Sequence, residues 1–171
     1  MTELLDVLDK YGNKTGKIIE RARPMIMAQG EYFRIVDVWI LNNQGELLIS
    51  KRVATAKPEP SKWQPTTGCA SAGDDSISAA IREVKEELGI ILDPQNGEKI
   101  KTYIAWEGAI IDVWLFRQEI DINDVVLQPS ETDDVLWATK GYVRKLAESD
   151  KFLSNERVPY LEELFSYMLN T

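Results

Sequence analysis

Glu83, Glu86 and Glu87 follow Arg82 at the end of the stretch GCASAGDDSISAAIREVKEELGI, which runs from Gly68 to Ile90. A helix turns by ~100° per residue, so side chains at i, i+3 and i+4 share a face, and this spacing pushes all three carboxylates to one side. Gathered carboxylates repel, at ~0.2–0.5 kcal/mol per pair while solvated and more once a fold brings them to a cleft. A hard divalent cation offsets that cost. Mg²⁺ is the natural candidate, because it takes oxygen ligands, keeps several waters and accepts substrate phosphates.

Those acids need a helix to carry them. Ile77, Ala80, Ile81, Val84 and Leu88 fall on another face of the same segment and supply an apolar stripe to bury. Asp75 or Ser76 suits the N-cap, and Gly89 makes a good stop after Leu88. Ahead of the helix, Lys57 to Pro65 is a Pro-bearing loop that delivers Trp63. Phe33 to Leu41, FRIVDVWIL, reads as a buried central strand. Asn42 to Gly45 turns the chain, and Glu46 to Lys51 returns as its hairpin partner. Glu3 to Asp9 and Lys17 to Glu20 form a small N-terminal hairpin, joined to the rest by a connector reaching residue 30. After a loop from Leu92 to Glu98, strands are expected over Lys99 to Trp106 and Ala109 to Glu119, separated by Glu107 and Gly108. A polar loop from Asp121 to Asp134 leads to a strand over Val135 to Thr139, a helix over Lys140 to Glu148, and a terminal helix over Val158 to Leu169.

The acidic stretch resembles the signature of the Nudix hydrolases: Gly, five residues, Glu, seven residues, Arg-Glu, an aliphatic residue, any residue, Glu-Glu, any residue, Gly, an aliphatic residue. Gly68, Arg82, Glu83, Val84, Glu86, Glu87, Gly89 and Ile90 match in register, while the family's first Glu is Asp74 here. The resemblance implies an α/β (α+β) fold, an α/β/α sandwich with a mixed sheet between helices, and one domain over 1–171. Within it, 1–30 is a hairpin and connector and 68–90 is the signature box. It implies attack by water on phosphorus in the diphosphate linkage of a nucleoside diphosphate derivative or a related small organic diphosphate. Glu83, Glu86 and Glu87, with the carbonyl of Gly68, would hold Mg²⁺, or Mn²⁺ in its place, and Arg82 would brace the carboxylates. The general base stays open among Glu83, Glu107, Asp112 and Glu131. Lys51 and Arg52 either meet a substrate phosphate or are surface charges, and Trp63 either stacks on a base or packs. The N-terminal third also resembles isopentenyl-diphosphate isomerases, but those use His ligands and a Cys directly before the loop glycine. Here Thr67 precedes Gly68, and Cys69 follows it. A silent Nudix-fold module that binds a nucleotide or a protein is the other alternative.

Composition narrows the rest. The 171 residues are 44% hydrophobic and 28% charged, as expected of one ordered globular unit. A net charge of −8 argues against nucleic-acid polymer or anionic membrane as a partner. The absence of histidine excludes His acid/base catalysis and His-ligated zinc, and the single Cys69 excludes an internal disulfide. No apolar run approaches the ~18 residues of a membrane span, and no signal peptide opens the chain, so the cytoplasm is expected. A homodimer is a further expectation of the resemblance.

Overall fold

The computed structural model describes residues 2–22, 24–105 and 108–169. In chain order the strands are β1 (Leu4–Leu8), β2 (Lys14–Glu20), β3 (Phe33–Leu41), β4 (Leu47–Arg52), β5 (Trp63–Gln64), β6 (Thr66–Cys69), β7 (Gly97–Ile104), β8 (Ala109–Arg117) and β9 (Thr132–Ala138). The helices are α1 (Ser76–Leu88), α2 (Lys140–Glu148) and α3 (Leu161–Tyr167). β1 and β2 pair antiparallel as a separate small sheet.

β3 is the axis of the main sheet. Along one edge it runs parallel to β8 for its whole length, from Phe33 opposite Ala109 to Leu41 opposite Arg117. Its other edge is shared, with β6 on the first half and β4 at the far end, both antiparallel. β7 extends the sheet beyond β8, while β5 and β9 flank β4. Strand alternation divides β3 between two cores. Val36, Val38 and Ile40 face α1, where they meet Ala79, Ala80, Val84 and Leu88. Trp39 and Leu41 face the opposite layer, with Val143 of α2, Phe152, Tyr160 and Phe165 of α3. Helices thus cover both faces of a mixed sheet, which is the expected α/β/α sandwich. Among the described residues no helix is long and apolar enough to cross a membrane.

Asp75 caps α1. Its carboxylate accepts from the Ser78 amide at 2.9 Å, and the Ser78 hydroxyl accepts from the Asp75 amide at 3.0 Å, an arrangement worth ~0.5–2 kcal/mol. Gly89 closes the helix in the left-handed region at φ +70°.

Several elements differ from expectation. β6 was not foreseen, because TTGC carries too little apolar pattern to announce a strand; pairing with β3 makes it one. The terminal helix is limited to Leu161–Tyr167, since Val158 and Tyr160 are spent on anchoring the preceding chain in the core. β9 begins at Thr132, inside the supposed polar loop, because β4 offers it a partner. The stripe on α1 is also rotated: Ile77 and Ile81 are half-buried, while Glu83 and Glu87 turn inward.

Candidate active site

β6 sets Gly68 opposite Val36, on the face that α1 covers. The glycine is bare for a reason. A Cβ there would stand 2.0 Å from Cδ of Glu83 and 2.2–2.4 Å from its two oxygens. The Glu83 carboxylate therefore occupies the space a side chain would take.

Arg82 locks the cluster from its outer side. Its Nε donates to Asp74 Oδ2 at 3.0 Å, and Nη1 donates to Glu83 Oε1 at 2.9 Å and to Glu86 Oε2 at 3.1 Å. Nη2 donates to the Cys69 carbonyl at 2.9 Å. Asp74 stands where the family pattern has the longer Glu, yet it reaches the guanidinium fully. Burial works against the Arg82 charge, but Glu83 and Asp74 outweigh it and raise the group above its ordinary range.

The three acids of the signature are not equivalent. Glu86 is half-exposed and engaged with Arg82. Glu83 is 8% exposed, and burial lifts its carboxyl to about 7 despite Arg82 beside it. Glu87, 6% exposed, is pushed well above the carboxylate range by burial, with Glu83 and Glu131 adding to the effect. Its Oε2 is buried without a hydrogen-bond partner. The segment after residue 125 folds back onto the end of α1: Val126 and Gln128 donate their amides to the carbonyls of Leu88 and Glu87, both at 2.9 Å. Val53 then donates to the Glu131 carbonyl at 3.1 Å. These bonds bring Glu131 to the same cleft as Glu87.

That cleft encloses about 770 Å³, with Gly68, Glu87, Glu131 and Arg52 among its walls. Arg52 is oriented by its own loop. Its guanidinium donates to the carbonyls of Glu59 and Pro58, both at 3.1 Å, and to Gln64 Oε1 at 2.9 Å.

Lys51 and Trp63, expected at the substrate, do not line the cleft. They are register partners on neighbouring strands, and alternation turns both away from the face that carries Arg52 and Gln64. Trp63 packs instead against the core around Phe152. Asp112, considered as a base, is fully buried and accepts from Ser76 Oγ at 2.6 Å and Thr102 Oγ1 at 2.5 Å, with Arg34 Nε at 3.3 Å. It fastens the start of α1 to the sheet, away from the cleft. Glu107 and Trp106 lie outside the described residues. Arg21 and Arg157, which do line the cleft, went unmarked in the sequence because neither belongs to a motif or a regular face.

The residues present suit a hard cation. The donors are carboxylate oxygens, one of them is a buried orphan, and the bare glycine lets Glu83 stand against β6. Among the described residues no three acidic side chains already converge as a closed cage. The oxygens left for an ion are those that Arg82 does not hold.

A NUDIX domain family model matches residues 31–155. The chain belongs to the Nudix hydrolases. It is 34% identical over 164 residues to an uncharacterised Nudix hydrolase of Listeria monocytogenes, covering 94% of this chain and 92% of that protein. A Nudix hydrolase of this kind acts on diphosphate bonds, and this chain is such an enzyme. The crystal structure of DR0079 from Deinococcus radiodurans has the same fold, with a TM-score of 0.76 at 18% identity over 94% of this chain and 98% of that one. Similarity to an isopentenyl-diphosphate isomerase of Photorhabdus laumondii is partial, at 30% identity over 92 residues, 52% of this chain and 49% of that protein.

Proposed function

We propose that this Nudix hydrolase is a Mg²⁺-dependent pyrophosphohydrolase, with Mn²⁺ as a substitute, acting on a nucleoside diphosphate derivative or a related small organic diphosphate. The observation that carries the reading is Glu87: a buried carboxylate with an orphan oxygen, on the wall of a cleft that also presents Arg52 and Glu131. An unpaired buried charge is costly, and a cation is the partner that would offset it.

In this reading Glu83 and Glu87 hold the ion, and Gly68 keeps Glu83 in place by leaving its space open. The ion, when bound, neutralises phosphate oxygens and lowers the pKa of attached water. Arg52, tied by Pro58, Glu59 and Gln64, orients a phosphate through the guanidinium N–H groups that those partners leave free. Glu131 takes the proton from the attacking water at its carboxylate. The water oxygen forms the new bond to phosphorus, the bridging P–O bond breaks, and its electron pair leaves with the departing phosphate. The whole chain works as one unit, with residues 1–30 supplying part of the cleft wall. A small-molecule enzyme of the cytoplasm, not paired with a nucleic-acid polymer, fits the charge and the lone cysteine.

The isomerase alternative is disfavoured by Cys69, which is buried, follows the glycine and gives its carbonyl to Arg82. A silent module would have no use for a buried Glu87. The test is phosphate release from a panel of nucleoside triphosphates, ADP-ribose, dinucleoside polyphosphates, nucleotide sugars and isoprenoid diphosphates, with Mg²⁺, Mn²⁺ or EDTA. Turnover of at least one member should depend on metal and fall at least ~10²-fold in Glu87→Gln. Tight binding without turnover, or a Glu87→Gln enzyme at full rate, would refute the reading.

A further inference from the structure

Arg157 lies two residues beyond the segment that matches the family model, in the arm that connects α2 to α3. It nevertheless lines the cleft with Arg52, Glu87 and Glu131. Its side chain is 25% exposed, and its Nε stands 4.0 Å from Glu59 Oε2.

The arm that carries it is firmly seated. Tyr160, 1% exposed, donates its hydroxyl to Asp37 Oδ2 at 2.7 Å and accepts from Trp39 Nε1 at 3.1 Å. Asp37 also accepts from Thr67 Oγ1 at 2.7 Å, and Thr67 is the cleft residue just before Gly68. On the other side of Arg157, the Ser154 amide donates to Glu59 Oε1 at 2.9 Å. Glu59 also gives its carbonyl to Arg52. One loop residue thus ties the bases of both arginine-bearing walls, so the positions of the two guanidinium groups are set together.

Two fixed guanidinium groups facing one cleft repel each other. Burial and then Arg157 both work against the charge on Arg52. Glu87, Glu131 and Glu59 offset that only in part, so an anion received between the two groups would ease it further, and planar guanidinium forks match phosphate oxygens.

We propose that Arg157 is a substrate-binding residue, forming with Arg52 a paired-guanidinium seat for the substrate's diphosphate that the C-terminal arm completes. This rests on reading the cleft as a diphosphate site. The seat puts positive charge into a cleft that also holds Glu87 and Glu131, in a chain of net charge −8, so a diphosphate can approach. It also makes the arm, docked through Tyr160, part of the binding site and not merely a cover for the sheet.

The experiment is calorimetric titration of methylene diphosphonate, whose carbon bridge resists hydrolysis, into the full chain with Mg²⁺, alongside steady-state kinetics on the best substrate of the panel. Arg157→Ala should weaken diphosphonate binding by about tenfold to a hundredfold, the range of a lost charge-assisted hydrogen bond. KM should rise more than kcat falls, and Arg157→Lys should recover part of the affinity. Arg144→Ala, which removes the same charge from the Glu162 pair on α2, should bind within twofold of wild type. Equal affinity in wild type and Arg157→Ala, no binding by wild type, or an equal loss in Arg144→Ala would each overturn the proposal. The two readings separate cleanly. Metal-dependent turnover with Arg157→Ala unaffected sinks the seat and leaves the hydrolase, whereas Arg157-dependent binding without turnover of any panel member does the reverse.

Discussion

Gly68→Ala is the smallest change that tests how the site is built. The added Cβ would lie 2.0 Å from Cδ of Glu83, which is 1.0 Å inside the 3.0 Å that real Cβ atoms essentially never undercut. Neither side yields easily. Glu83 is held to Arg82 at 2.9 Å, and β6 is paired to β3 through Val36 and Gly68. Overpacking of this sort costs about 1–3 kcal/mol of stability. Displacing the carboxylate by ~1 Å should lower turnover by about 10²-fold, the penalty typical of a misplaced catalytic group. The assay is metal-dependent phosphate release, with a thermal melt to confirm that the variant is folded. Gly141→Ala is the control: nothing lies nearer its Cβ than Thr139 Oγ1 at 4.0 Å, so the helix α2 should gain ~0.5–1 kcal/mol and activity should stay the same. A folded Gly68→Ala enzyme working within twofold of wild type would show that the close approach of Glu83 to Gly68 has no part in catalysis.

Two further outcomes follow from the same geometry. Burial pushes the Glu83 carboxyl up from an ordinary 4.5 to about 7 and raises Glu87 too, so the folded state holds these protons more tightly than the unfolded one. In EDTA, this contribution to stability should accordingly be complete below about pH 4.5 and be lost as pH rises through 7, by about 3 kcal/mol in all for Glu83 alone. Saturating Mg²⁺, which favours the charged carboxylates, should flatten that fall. Melting temperatures that rise with pH over this window in EDTA would contradict the burial argument. Arg82→Lys replaces a fork serving Asp74, Glu83, Glu86 and the Cys69 carbonyl with a single ammonium, so it should cost ~1–3 kcal/mol in stability and tenfold or more in turnover. A variant with wild-type melting and rate would show that the brace is dispensable.

How much was legible in the sequence differs from residue to residue. Glu83, Glu86 and Glu87 were readable because helix pitch puts them on one side, and Gly68 and Arg82 because they match the signature that the stretch resembles. Trp63 and Lys51 misled because aromatic and basic side chains beside a signature suggest a ligand, whereas strand pairing decides which way they point. The register of β4 with β5 places them together on the far face. Glu131 was located only to a loop. What brings it to Glu87 is a set of backbone bonds from that loop to the end of α1, which no side-chain pattern encodes.

The sequence by itself therefore determined the helix and its stop, narrowed its cap to Asp75 or Ser76, and marked the central strand and the spacing of the acids, since helix pitch, strand alternation and capping are local. Tertiary structure alone decided which acids are buried, that Asp112 anchors α1 instead of facing substrate, and that Arg21, Arg52 and Arg157 share one cleft. Those facts depend on the docking of segments far apart in the chain. Burial, and with it the charge state of Glu83 and Glu87, belongs to the packed whole and not to any stretch of residues.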